Sequence, residues 1–294
     1  MFDLSLYLEE RGRWIDASLD HHLPATDLYP PVLHQAMRYS MFSGGKRLRP
    51  ILCLAAAEAC GATKEDALWP ALALEAVHTY SLIHDDLPCM DDDDLRRGQP
   101  TAHIRFGEAN ALMAGTALLT LAFEWLGQAP TPSPHSTNHF IAELAHASGH
   151  QGIMAGQVAD LAAEEMPASE ELLHFIHLHK TATLIRAAVR MGGIAAGASS
   201  TDLDALSLYG CNLGLAFQIA DDLLDETGKT EDIGKPAGSD RKNNKLTYVS
   251  LFGIEAARDK AKTLVEEATE ALNALKGDSE PLRALAAYVI KRTH

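Results

Sequence analysis

The 294 residues carry a formal charge of -15 and an apolar share of 47%. So acidic a chain excludes a nucleic-acid or anionic-membrane partner, which demands a basic patch, and it makes the few clusters of basic residues informative. Alanine and leucine dominate and no long stretch alternates apolar with polar, so the expected fold class is all-α.

In chain order, the opening "MFDLSLYLEERGRW" places acids early and has no apolar signal core. Cys53, Cys60, Cys89 and Cys211 form no CxxC pair, which sets aside a zinc site or disulfide framework and points to a reducing cytoplasm. Helices are expected between breakers at 23–31, 96–100, 127–138 and 226–244. After the first breaker, "GGKRLRP" at 44–50 offers Lys46, Arg47 and Arg49 beside a flexible glycine pair.

An apolar helix then runs into "LIHDDLPCMDDDDLRRGQP" at 82–100, where six aspartates fall within ten positions and Arg96 and Arg97 follow. Pro88 removes a helical hydrogen bond and disfavours helix at Leu87, so Asp91 is expected in a turn curling back toward Asp85. The segment "ANALMAGTALLTLAFEWLG" at 109–127 is the most membrane-like piece, but Asn110, Thr116, Thr120 and Glu124 interrupt it. It falls short of roughly 20 clean apolar residues and is expected as a helix buried in protein, without membrane insertion.

Farther on, "FQIADDLLD" at 217–225 echoes the first acidic cluster. At about 100° per residue Asp221 and Asp225 share one face, and Gln218 is expected to join it. The Pro/Ser stretch after Gly127 is the best candidate boundary, yet it lies between the two clusters. The chain is therefore read as one domain, 1–294, with the clusters facing each other across a helical bundle.

One acidic helix end is ordinarily solvated. Two, each behind an apolar helix that must be buried, require cations to offset the crowding of carboxylates. All-oxygen ligands select magnesium or calcium, and neither cluster has the spacing of an EF-hand loop. Magnesium shares its sphere with substrate phosphates, and Arg96, Arg97, Lys46, Arg47, Arg49, Lys180, Lys235 and Lys245 supply forked and point-charge donors for them. No GxxxxGK[ST] or GxSxG motif offers another chemistry.

The ordered set "GGKRLRP", "HTYSLIHDDLPCMDDDDLRRGQPTAH", "FGEANALMAG", "GQVADL", "HKTATLIRAAVRMGG", "GLAFQIADDLLDETG" and "GKPAGSDRKNNKLTY" resembles the trans-isoprenyl diphosphate synthases, most closely the bacterial farnesyl diphosphate synthases. The resemblance implies an all-helical bundle around a deep central cavity, usually dimeric. It implies head-to-tail condensation of isopentenyl diphosphate with an allylic diphosphate. Asp85, Asp91 and Asp221 then look like magnesium ligands, with Asp86, Asp222 and Asp225 supporting them at the metal site. Arg96, Lys180 and Lys245, with Lys235 beside them, look like contacts to the allylic diphosphate. Lys46, Arg49, His78 and Arg97 resemble the pocket for isopentenyl diphosphate, and Thr181 and Gln218 the groups facing the allylic cation. The released diphosphate is expected to take the final proton.

An aromatic shortly before DDxxxxD is associated in this family with a fifteen-carbon product, so farnesyl diphosphate is the expected product. Here Tyr80 stands five positions before Asp85 and Ser81 four before. The ideal helical wheel puts Ser81, not Tyr80, beneath Asp85, so the role of Tyr80 rests on the resemblance. Where relatives often read "GKSTYP" this chain has "NKLTYV", which predicts an altered loop stiffness. The alternatives are a geranyl or geranylgeranyl synthase of the same fold, or a noncatalytic partner subunit. The last is expected to lose motif aspartates or arginines, which this chain keeps. A terpene cyclase needs no second diphosphate pocket.

Overall fold

The computed structural model describes residues 2–163, 165–227 and 245–291. Its helices begin and end where local chemistry dictates. Asp3 accepts the Leu6 amide at 3.1 Å and opens α1, Leu4–His22. The breaker at 23–31 separates it from α2, Pro31–Met41, which starts on a proline where no amide partner is needed.

Helices α3 (Leu48–Ala59), α4 (Leu68–Asp85) and α10 (Thr183–Ala195) are buried on nearly every face and form the centre of the bundle. Small residues set their spacing: a Cβ at Gly192 of α10 would lie 2.2 Å from the Cys53 carbonyl oxygen of α3. Around them run α5 (Ala102–Phe106), α6 (Glu108–Leu126), α7 (Thr137–Ser148), α8 (Ile153–Ala163) and α9 (Glu170–Ile176). The long α11 (Ser200–Thr227), α12 (Tyr248–Phe252), α13 (Ile254–Ala271) and α14 (Glu280–Lys291) complete the described helices. The all-α expectation holds, with one small addition. "LRRGQP" forms a hairpin of Leu95–Arg96 (β1) and Gln99–Pro100 (β2), turning through Arg97 and Gly98 at φ 53° and 75°. Two left-handed central residues give the turn whose twist matches paired strands.

The expectation that 109–127 is buried needs correction. Helix α6 is the one described helix long and apolar enough to cross a membrane, yet only 39% of it is buried. Ala111, Ala114, Gly115 and Leu118 pack inward, and His84 of α4 sits where a Gly115 side chain would be, 2.4 Å from its Cβ position. Leu112 and Met113, 41% and 55% exposed, face outward with Thr116 and Thr120. Composition alone does not distinguish a helix covered by its own chain from one with an uncovered apolar face.

Candidate active site

Helix α4 ends at Asp85, and the chain turns back as its proline requires. The Met90 amide donates to the Leu87 carbonyl at 2.8 Å, and the Asp91 amide to the Asp85 carbonyl at 2.9 Å. The expected curl of Asp91 toward Asp85 is present. Burial, reinforced by Asp91 and Asp86 and opposed by Lys180, pushes the Asp85 carboxyl up to about 6. A desolvated carboxylate crowded by two others is what a bound divalent ion relieves, and oxygen donors suit magnesium. Among the described residues no group of three or more His, Cys, Asp or Glu side chains could hold an ion unaided. Asp86 is buried, and Arg96 forks onto it, Nε donating at 2.8 and 3.0 Å and Nη2 at 2.5 Å.

The second cluster sits near the end of α11. Gln218 donates to Asp222 at 3.1 Å. Four residues turn a helix by about 400°, a 40° offset to Asp222, and seven by about 700°, a 20° offset to Asp225 on the other side. Thr181 Oγ1 donates to the Gln218 side-chain Oε1 at 2.7 Å, and the Tyr248 amide donates to Asp222 at 2.7 Å. Asp222 is buried among these donors. Asp221 and Asp225 are half-buried beside it.

Lys180 and Thr181 ride on a π-helical turn, His177–Ala182, of the kind that often marks functional sites. Two glycines let neighbouring helices reach it. A Cβ at Gly156 of α8 would lie 2.2 Å from the Lys180 backbone nitrogen, and one at Gly214 of α11 would lie 2.4 Å from the Ala182 Cα. Lys180 donates to Asp160 of α8 at 2.6 Å. Lys245 lies 3.7 Å from Asp91 and 4.0 Å from Asp160. Asp160 and His177 are the residues that the sequence reading missed. His177 is held neutral chiefly by burial, down to about 4, and lies 3.4 Å from Asp222.

The basic loop reaches the same helix from another side. Gly45, at φ 118°, leaves the space into which the Arg97 guanidinium fits, and Arg97 donates to the Gly44 carbonyl. A Cβ there would lie 2.5 Å from Arg97 Nη1. His78 of α4 is kept far below the usual imidazole range, first by burial and then by Arg49, Arg97, Arg96 and Arg47. Arg97 itself is lowered, by burial first, with Arg47 and Arg96 adding repulsion and Glu75 opposing. Such a group of cations suits an anionic ligand. Arg47 does not belong to it as a ligand donor: it is buried on Glu75 at 2.7 Å and Asp16 at 2.8 Å. Lys46 is exposed, 5.5 Å over the Tyr288 ring. Lys235 lies outside the described residues.

Tyr80 is buried, its hydroxyl donating to the Ser148 carbonyl at 3.4 Å, and its ring meets His84 edge-on at 5.5 Å. Ser81 is also buried and donates to the His78 carbonyl at 2.9 Å.

Known proteins resemble this chain in sequence and in fold. The family model "Polyprenyl synthetase" matches residues 30–283. The chain is 45% identical to geranylgeranyl pyrophosphate synthase 7, chloroplastic, of Arabidopsis thaliana, over 99% of this chain and 84% of that one. The crystal structure of a FPP/GFPP synthase from Zymomonas mobilis superposes with a TM-score of 0.86 at 38% identity, over 98% of both chains. Geranylgeranyl pyrophosphate synthetase from Pyrococcus horikoshii superposes with a TM-score of 0.89 at 32% identity, again over 98% of both. The names of these relatives fit the geranylgeranyl alternative better than the farnesyl reading. A match along almost the whole length, in sequence and in helical architecture, makes the chain a member of the polyprenyl synthetase family, a trans-prenyltransferase.

Proposed function

We propose that the chain is a magnesium-dependent prenyl diphosphate synthase, joining isopentenyl diphosphate head-to-tail to an allylic diphosphate. One observation carries this: two short segments each link the acidic clusters. Lys245 approaches Asp91 while the Tyr248 amide holds Asp222. Lys180 acts on Asp85 while Thr181 reaches Asp222 through Gln218. A diphosphate between the clusters, with its tail along α4 toward Tyr80, fits this layout.

Asp85, Asp91 and Asp221 would hold the ions with Asp225 beside them, and bound magnesium supplies charge stabilisation to the departing diphosphate. Asp86 and Asp222 support them by orienting Arg96 and Gln218. Lys180, Lys245 and Arg96, with Lys235, bind the leaving group. Thr181 and Gln218 turn oxygens toward the carbon where positive charge develops, a preorganised electrostatic role. Lys46, Arg49, Arg97 and neutral His78 bind isopentenyl diphosphate. The allylic C–O bond breaks, the isopentenyl double bond forms the new C–C bond, and the proton then lost passes to released diphosphate.

For product length, the relatives' names favour twenty carbons. Tyr80 supports the second reading, fifteen. Its buried ring lies five residues before Asp85, about 7.5 Å of helix rise, where it would stop a growing tail early. Incubation with magnesium, isopentenyl and geranyl diphosphates, followed by mass spectrometry, decides. Accumulation of C20 by wild type removes the Tyr80 reading. A C15 stop that Tyr80→Ala lengthens to C20 supports it, and no elongation at all removes the synthase.

A homodimer belongs to the same reading, supported by the uncovered apolar face of α6. Light scattering should give twice the chain mass for wild type and a single chain mass for Leu112→Glu/Met113→Glu. A monomeric wild type overturns it. A cytoplasmic setting, which cell fractionation tests, rests on the cysteine spacing.

A further inference from the structure

Gln157 of α8 is 7% exposed, and neither its Oε1 nor its Nε2 has a hydrogen-bond partner among the described residues. Leaving a buried amide group unsatisfied forfeits its solvation with nothing in return, so such a group calls for an explanation. Its surroundings supply one. Asp160, which holds Lys180, follows one turn along α8. Gly156, against the Lys180 backbone, precedes it. Beyond the start of α8, Ser148 receives the Tyr80 hydroxyl. Gln157 thus stands on α8 between Gly156, which meets the Lys180 backbone, and Asp160, which holds the Lys180 ammonium.

We infer, resting on the synthase reading above, that Gln157 is a further catalytic residue of the condensation. Its Nε2 donates to the oxygen joining the allylic carbon to diphosphate, and its Oε1 faces that carbon. When the C–O bond breaks heterolytically, the electron pair stays on the diphosphate oxygen beside Nε2. The cation is left beside Oε1, and the amide neither gains nor loses a proton. One ligand therefore satisfies both orphaned ends of the side chain, and does so most strongly as charges separate.

A purely structural amide behaves differently. Replacing an unsatisfied buried amide by an apolar side chain of like shape is neutral or stabilising. Gln157→Leu and Gln157→Met are therefore expected to melt at or above the wild-type temperature. Their kcat with geranyl diphosphate should fall at least about 30-fold, with KM for isopentenyl diphosphate within about threefold, the signature of an interaction made in the transition state. Both variants retaining kcat within about threefold overturns the assignment and leaves the synthase reading intact. Lower melting temperatures in both variants assign Gln157 to the fold and overturn it as well. An inert wild type overturns the synthase reading first, and this inference with it.

Discussion

Asp85→Ala is expected to lower turnover by about 10³-fold or more, the scale on which removal of a preorganised charge-stabilising group acts. The change spares the fold, because alanine is the best helix former and Asp85 closes α4. What it removes is the carboxylate that burial, Asp91 and Asp86 crowd and that Lys180 faces. Its neighbour Asp92 gives the control. It is exposed at φ 52°, a conformation that asparagine also tolerates, so Asp92→Asn should stay within about threefold of wild type. Steady-state assays with isopentenyl and geranyl diphosphates, repeated after EDTA, make the measurement. An Asp85→Ala enzyme retaining a tenth of wild-type turnover, or activity that survives chelation, contradicts the site.

Glu75→Ala should destabilise the protein by roughly 3–5 kcal/mol in denaturant melts, the cost of leaving a buried charge without its partner. Arg47 is 5% exposed and Glu75 2%. Without Glu75 the guanidinium keeps only the half-exposed Asp16 and the Met41 carbonyl at 2.7 Å. Because Arg47 also bears on His78 from within the basic loop, the variant should lose affinity for isopentenyl diphosphate before it unfolds. The exposed pair Arg13–Glu9 is the comparison, and Glu9→Ala should leave the melt unchanged. A loss under about 1 kcal/mol for Glu75→Ala refutes the structural role assigned to this pair.

How much of this was legible beforehand follows from the range of each effect. Breaks at 23–31 and 127–138 are readable because proline and glycine act on their own backbone, and the same holds for the turn after Pro88. Asp85, Asp91, Lys180 and Gln218 stand out because they sit in dense motifs. Asp160 stands in "GQVADL" too, but it has no readable role until the π-helical turn brings Lys180 to it. Arg47 was grouped with its loop neighbours by spacing, whereas its partners Glu75 and Asp16 are 28 and 31 residues away. The outward face of α6 was hidden for a related reason: what covers a helix is decided by tertiary packing.

The glycines at 156 and 214 carry a consequence for how this enzyme can change. They give the lysine–threonine turn its clearance by having nothing there, so its position is held by two neighbouring backbones with no slack for a methyl group. Substitutions at these positions touch neither substrate nor ion, yet they tilt the reactive groups directly. Variation in catalytic speed among otherwise intact copies of this chain is therefore to be sought as much in these blank spots as in the charged residues around them.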